Sequence, residues 1–284
     1  MGYGTYATIA DIKGVLGITS TTDDTVMRKQ LEAASRAIDN YCNRRFYVTS
    51  ETKTFDGATK LWLPDLLSIT TLKTDEGNDG TFENTYATTD YIKYGGGLED
   101  SLNKLPYTRL EINPNGDYAS FASGYKVGVQ IVGTWGYGNG ISATPYIIDT
   151  TLSAAITTTT ATTCAVTAVT NLSAGQTILI DSEQMYIYSI STLTLTVERG
   201  VNGTTAATHS ITSPNYLYIY QYPADIRQAC IDLGVAFYQN RAKQGLQTER
   251  LGDYSYTIMG TSLGKGMIES ILDDKIRSYK RMRF

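Results

Sequence analysis

DDTVMRKQLEAASRAIDNYCNRRF, residues 23–46, is the stretch on which the fold turns. Met27, Leu31, Ala34, Ile38 and Tyr41 recur at the spacing of one helical face, so Asp23–Asn43 reads as an amphipathic helix with one buried and one wet side. Asp23 and Asp24 lie at its start and Arg44 and Arg45 at its end, each where the helix dipole favours that charge. Upstream, TIADIKGVLGI (8–18) predicts a short helix within Tyr6–Gly17. Thr8 is a good N-cap, Asp11 stands three residues later to meet the orphan amides, and Gly17 ends the element.

Beyond Phe46 the pattern changes from helical to alternating. Thr49–Phe55, Lys60–Leu63, Ser68–Thr74, Asp90–Tyr94, Thr108–Ile112 and Lys126–Trp135 read as short antiparallel strands. Pro64-Asp65 is expected to break one of them, and the run from Asp75 to Gly80 reads as a turn or loop. Past Gly136 the chain becomes rich in Thr, Ser and Ala and nearly free of charge. Residues 139–222 are therefore expected to form an all-β sandwich or barrel, with strands at Thr162–Val169, Thr177–Ile180, Gln184–Ile190, Leu193–Glu198 and Tyr216–Tyr222. Helix returns at Pro223, with Ile226, Cys230, Leu233 and Phe237 on one face. Gln244–Gly266 shows no clear period. A last helix over Met267–Tyr279 leads into the basic tail Lys280-Arg281-Met282-Arg283-Phe284. The expected fold class is α+β: a helical domain with short antiparallel strands (1–138 and 223–284), interrupted by the all-β unit and closed by an extended C-terminal helical arm.

Composition narrows the chemistry. The net charge is −4, which argues against broad binding to a nucleic-acid backbone. Counted by segment, residues 1–136 carry net −4, 137–222 net −3 and 223–284 net +3, so the C-terminal end is the basic one. The 22 Tyr against 6 Phe suit surfaces that become interfaces, and suit strands equally. Cys42, Cys164 and Cys230 are odd in number and far apart, which fits buried free thiols and a reducing compartment better than disulfides or zinc. Met1–Ala10 has neither the basic start nor the apolar core of a signal peptide, and no apolar run is long enough to span a membrane. The single histidine, His209, has no carboxylate beside it in sequence and reads as a surface loop residue, leaving nothing for a catalytic triad or a His-based metal site. Tyr94-Gly95-Gly96-Gly97 lacks the Lys-Ser/Thr of a phosphate loop. Glu99-Asp100 and Asp273-Asp274 are adjacent pairs that do not converge on one site, although a carboxylate pair formed by folding stays open. No catalytic, cofactor-binding or metal residue is assigned, and the chain is not expected to be an enzyme.

The order of these pieces resembles the head–tail connector, or adaptor, family of tailed bacteriophages. TIADIKGVLGI with the 23–46 stretch is similar to the family's paired N-terminal helices. TKTFDG, LWLPDLLSITTLKTD, DYIKY, PYTRLEI and VQIVGTWGYG resemble its strands, PADIRQACIDLGVAFYQNR (223–241) its third helix, and ERLGDYSYT with IESILDDKIRSYKRMRF its extended segment and terminal arm. AGQTILIDSEQMYIYSISTLTLTVERGVNGTTAATHS (174–210) looks like a small β module added to that plan. The resemblance implies a structural virion protein, made in the host cytoplasm and placed at the head–tail vertex. It would form a ring, commonly twelve-fold, that binds the portal protein, extends the channel through which double-stranded DNA passes, and meets the next tail component (stopper, nozzle or tail tube). The wet side of the 23–43 helix, with Arg28, Glu32, Arg36 and Asp39, is the expected contact between neighbouring copies. Ile271, Ile276, Tyr279, Arg281, Arg283 and Phe284 are the expected portal contact. The β unit would hold tail fibres, a decoration protein or a neighbouring copy. Tyr186, Tyr188, Tyr216, Tyr218 and Tyr220 leave open carbohydrate binding. A tail completion or terminator ring, a tail-associated cell-wall hydrolase and a receptor-binding module are the alternatives.

Overall fold

The helical face read around Leu31 is the face on which the chain folds. The computed structural model describes residues 4–96, 101–212, 215–241, 248–251, 254–257 and 265–281. In chain order its elements are α1 (Ile9–Leu16), α2 (Asp24–Cys42), β1 (Thr49–Phe55), β2 (Lys60–Thr74), β3 (Asn84–Thr85), β4 (Tyr91–Gly95), β5 (Ser101–Leu102), β6 (Tyr107–Ile112) and β7 (Val129–Trp135). These are followed by β8 (Tyr146–Thr151), β9 (Thr163–Ala165), β10 (Thr177–Ile180), β11 (Glu183–Ser191), β12 (Thr194–Glu198), β13 (Tyr216–Tyr220), α3 (Ala224–Asn240), β14 (Thr248–Leu251), β15 (Tyr254–Thr257) and α4 (Lys265–Ile276). The protein is thus α+β with antiparallel sheets.

α1 begins on a complete capping box: the Asp11 amide donates to Thr8 Oγ1 at 3.2 Å, and the Thr8 amide donates to Asp11 Oδ2 at 2.9 Å. Gly17 closes it in the left-handed conformation, at φ 65°. On α2, Met27, Leu31, Ala34 and Ile38 are fully buried, as the period predicts, whereas the last place on the face is taken by Cys42, and Tyr41 is only partly buried. α3 lies against this face and approaches closely at Gly234. A Cβ there would stand 2.8 Å from Ile12 Cδ1 and 3.2 Å from Leu31 Cδ2. The glycine weakens the isolated helix by about 1 kcal/mol relative to alanine, but it lets three helices meet at one point.

Sheet order in the first β unit is β1-β7-β2-β6-β4-β5, with β3 pairing to β2. Pro64-Asp65 does not end a strand. β2 runs through it, because pairing to β6 passes directly from Trp62↔Arg109 to Leu66↔Tyr107. The extra residues on β2 form a bulge, so the ladder asks no N–H of Pro64. Leu61, Leu63, Leu66, Leu72, Leu110, Phe121, Ile131 and Trp135 fill a core beneath this sheet, separate from the helical one.

The second β unit orders its strands β8-β13-β10-β11-β12-β9. Its two outer strands meet: Leu152 bridges Val166, and the Thr167 amide donates to the Thr151 carbonyl at 2.9 Å. The sheet therefore curls until its edges touch, which covers backbone groups that an open edge would expose. Strand β8 lay outside the expected set, since YIIDTT has no clean alternation and its burial is irregular.

Hydrogen bonds from several segments seat this unit on the rest of the chain. The Thr5 amide donates to Gly175 O at 2.9 Å, the Ser50 amide to Asn202 O at 2.8 Å, and Gln184 Nε2 to Val48 O at 3.0 Å.

The segment without period before the last helix contains a hairpin, β14–β15, paired from Thr248↔Thr257 to Leu251↔Tyr254. α4 then folds back on the helices. Leu272 and Ile276 are buried in the helical core, and the Arg281 amide donates to Cys42 O at 2.8 Å. Ile276→Ala is therefore expected to lower the unfolding free energy by about 2–5 kcal/mol in urea titration. A helix standing off the domain would give a change below about 0.5 kcal/mol.

Candidate functional site

The C-terminal end of α2 builds a highly charged concavity. Asn43 takes a left-handed conformation, at φ 49°, and turns the chain out of the helix. Arg44 is carried inward, its side chain 9% exposed, while Arg45 stays outside at 58%. Arg44 Nη1 lies 3.2 Å from Asp65 Oδ1, and Arg281 Nη1 lies 3.7 Å from the same oxygen. Burial pushes the Asp65 carboxyl upward, against the pull of Arg44 and Arg281. Lys53, from β1, and Arg45 both reach Glu51. A cavity of about 570 Å³ opens among these groups, lined by the cations Arg36, Arg44, Arg45, Lys53 and Arg281 and the carboxylates Asp39 and Asp65, with Tyr47 and Trp135 among its walls.

The four α2 residues expected at a ring contact all have partners within the subunit. Arg28 Nη1 reaches Glu32 Oε1 at 2.7 Å and Tyr186 Oη at 2.9 Å, and Tyr186 also donates to Glu32. Arg36 pairs with Asp39 at 3.1 Å and lies over the rings of Tyr47 and Tyr6, at 4.7 and 5.5 Å. Asp39 accepts from Tyr6 Oη at 2.5 Å and from the Phe46 amide at 3.4 Å. Burial lifts the Asp39 carboxyl to about 6, outweighing Arg36 and the Tyr6 hydrogen bond. Tyr6 and Tyr186 thus reach the polar side of α2 at these residues, while Thr25, Lys29, Ala33 and Asn40 stay exposed along it.

Of the residues expected to meet a portal, Ile276 is fully buried and Ile271 partly so. Tyr279 packs on Phe46 and Tyr137, with ring centroids 5.8 and 5.6 Å away. Arg281 donates to the Leu63 carbonyl and faces Asp65. Arg283 and Phe284 lie outside the described residues, as do Glu99, Asp100 and Gly97.

His209 is not a surface residue. Its side chain is 1% exposed and held between two carboxylates: Nδ1 is 2.7 Å from Asp181 Oδ2 and Nε2 is 2.8 Å from Glu183 Oε2. Both contacts act as hydrogen bonds together only when both ring nitrogens carry protons. Glu183 is the hub. The Arg199 fork grips it at 2.6 and 2.7 Å, and the Gly200 and Ala207 amides donate at 3.0 and 2.9 Å. Burial pushes the Glu183 carboxyl up, but the Arg199 fork, the two amides and His209 together hold it below its ordinary range. The partners come from 16 to 26 residues away in sequence, so adjacency could not reveal them. The cluster fastens the 199–209 loop to β11.

Other groups have less room for chemistry. The three thiols are buried, and burial pushes Cys42 to about 12 and Cys164 and Cys230 to about 11. A second cavity, about 530 Å³, runs along the seam with the β8–β13 unit. Its two charged lining residues, Asp11 and Arg227, pair with each other at 2.7 Å. Asp75, Asp79 and Glu83 form the one acidic trio among the described residues whose oxygens fall within 4.8 Å of one another. Both Asp75 oxygens already accept backbone amides, from Asp79 and Gly80. Of the tyrosines considered for sugar stacking, Tyr186 is fully buried, whereas Tyr188 and Tyr216 are exposed.

Residues 6–74 match the family model described as Phage gp6-like head-tail connector protein. That span covers α1, α2, β1 and β2, and so most of the charged concavity. No curated protein matches the chain.

Two measurements check this geometry. Glu183→Gln leaves the buried Arg199 guanidinium without its counter-charge and is expected to cost roughly 3–5 kcal/mol in chemical denaturation. Asp39 has a folded pKa of about 6 against an ordinary 3.8, so ionising it costs the folded state. Unfolding free energy should therefore fall as pH rises between those values, by up to about 1.4 kcal/mol per pH unit. Asp39→Asn should flatten that slope.

Proposed function

Since residues 6–74 belong to the gp6-like head–tail connector family of phages, a family of structural proteins joining head to tail, we propose that this chain is the subunit of a ring, twelve-fold in our reading, seated between the portal and the next tail component. The observation that carries the proposal is the match over residues 6–74, a span that holds the two N-terminal helices and first two strands and so the helix that organises the core. In this reading the ring extends the DNA channel, the protein is made in the host cytoplasm, and it catalyses no reaction. Two features support the absence of catalysis. The lone His209 is enclosed by the carboxylates it holds, and the buried thiols are poor nucleophiles. No helix among the described residues is long and apolar enough to cross a membrane.

We place the portal contact at the C-terminal end of the chain, beyond the part of α4 that builds the core. Arg283 and Phe284 belong to the proposed contact, together with the surface that Ile271, Tyr279 and Arg281 leave uncovered. The β8–β13 unit is proposed as an outward module that presents Tyr188 and Tyr216 to a fibre, a decoration protein or a neighbouring copy.

Native mass spectrometry tests the stoichiometry: twelve copies of 31.1 kDa give about 373 kDa, whereas a six-fold tail-completion ring gives about 187 kDa. Deleting Tyr279–Phe284 should abolish binding of the ring to purified portals. Undiminished binding would remove the C-terminal contact from the reading.

A further inference from the structure

The charged concavity at the end of α2 has a counterpart elsewhere on the same sheet. Trp135, a wall of the cavity, is the last residue of β7, and Val129, the first, sits beside Thr74, where β2 ends. Six steps along an antiparallel strand amount to about 20 Å. At that far end the chain enters DEGNDGTFE (75–83), which has four carboxylates and no lysine or arginine. Glu76, Asp79 and Glu83 are exposed, and Phe82 is half-buried among them. The loop is shaped from within: Asp75 is buried and caps the Asp79 and Gly80 amides, and Asp79 accepts from the Thr81 amide at 2.8 Å. That amide holds the exposed Asp79 carboxyl below its usual range. The sheet therefore carries a cationic cavity at one end and an anionic loop at the other.

We propose that the 75–83 loop of one copy docks into the Arg36–Arg44–Arg45–Lys53–Arg281 cavity of the next, forming a head-to-tail contact between subunits. The inference rests on the ring reading above and supplies its interface. A closed ring of identical copies needs two different, complementary patches on each subunit. Five cations face two carboxylates in the cavity lining, and counting Glu51 beside it still leaves a surplus of two positive charges. Asp65 is shared by Arg44 and Arg281, and Glu51 by Arg45 and Lys53, so each carboxylate serves two cations. An incoming carboxylate would complete these sets. The Arg45 head is the most accessible at 58% exposure, Arg36 and Lys53 follow at 30% and 25%, and Arg44 and Arg281 lie deeper at 9% and 18%. This recession favours a narrow acidic loop over a DNA duplex, whose evenly spaced phosphates are best met by a row of protruding cations.

The test uses the full chain. Carbodiimide treatment of assemblies made from mixed light and isotopically heavy protein condenses a Lys amine with a neighbouring carboxylate, releasing the reagent as its urea. Peptides joining Lys53 of one isotope to a carboxylate of 75–83 of the other are expected. In parallel, Arg45→Glu alone and Glu76→Lys with Asp79→Lys are each expected to reduce the yield of assembled rings at least about tenfold, since like charges then face each other. The chain carrying all three changes should recover assembly, and circular dichroism controls for folding. Rings that form undiminished in both single-sided variants, without the mixed-isotope cross-link, overturn the docking while leaving the ring reading intact. Variants that assemble normally but bind duplex DNA less overturn it in favour of a phosphate contact. A wild-type chain that stays monomeric both alone and with portals removes the ring reading and the docking with it.

Discussion

Met27, Leu31, Ala34, Ile38 and Cys42 present one continuous, fully buried face of α2, and the rest of the helical layer is arranged by what that face accepts. α3 comes close because Gly234 has no side chain to hold it off, and α1 inserts Ile12 into the same junction. Tyr6, Phe46 and Ile276 are buried in the same cluster. These contributors come from both ends of the chain, with two β units between them. Bringing them together is entropically cheap, because each doubling of an intervening loop adds only about 0.6 kcal/mol. Burying one large apolar side chain contributes about 1.5–3 kcal/mol. A handful of such contacts therefore outweighs the long excursion.

The second β unit is attached by a different kind of force. Its core of Leu152, Ile178, Met185, Ile187, Leu195 and Leu217 is separate from the helical core. The seam is instead made of backbone bonds such as Thr5 to Gly175 and Ser50 to Asn202, and of the Arg28–Glu32–Tyr186 cluster. Directional bonds fix orientation better than they add stability, since each contributes only about 0.5–1.5 kcal/mol net. The unit is thereby held in one pose while keeping its own core. The same arrangement explains why the polar side of α2 is engaged within the subunit and why surplus charge collects farther along, where the helix ends.

What could be read from the sequence is what neighbouring residues settle among themselves. The 3.6-residue period of α2, the Thr8–Asp11 box and the left-handed Gly17 are local facts, and the helices stand where those signals put them. Thr49–Phe55 and Thr177–Ile180 alternate or cluster strongly enough to define their own ends. Pro64 misled because the local rule forbids a ladder hydrogen bond, whereas the bulge on β2 means that none is required. Strand order, the curling of β8 onto β9 and the path of α4 depend on partners far along the chain and have no local signature.

The charged sites divide in the same way. Arg44 and Arg45 are visible in sequence as a basic helix end, but their fates diverge because Asn43 reverses the backbone and Asp65 and Arg281 arrive from elsewhere. His209 is legible only as a lone imidazole, since Asp181 lies 28 residues away and Glu183 lies 26. By itself the sequence determined the helical framework and most of the strands, because periodicity, caps and turn signals act over a few residues. Only the tertiary structure decided which ionic groups face one another, because Coulomb and hydrogen-bond energies depend on distances that chain folding sets and sequence spacing does not.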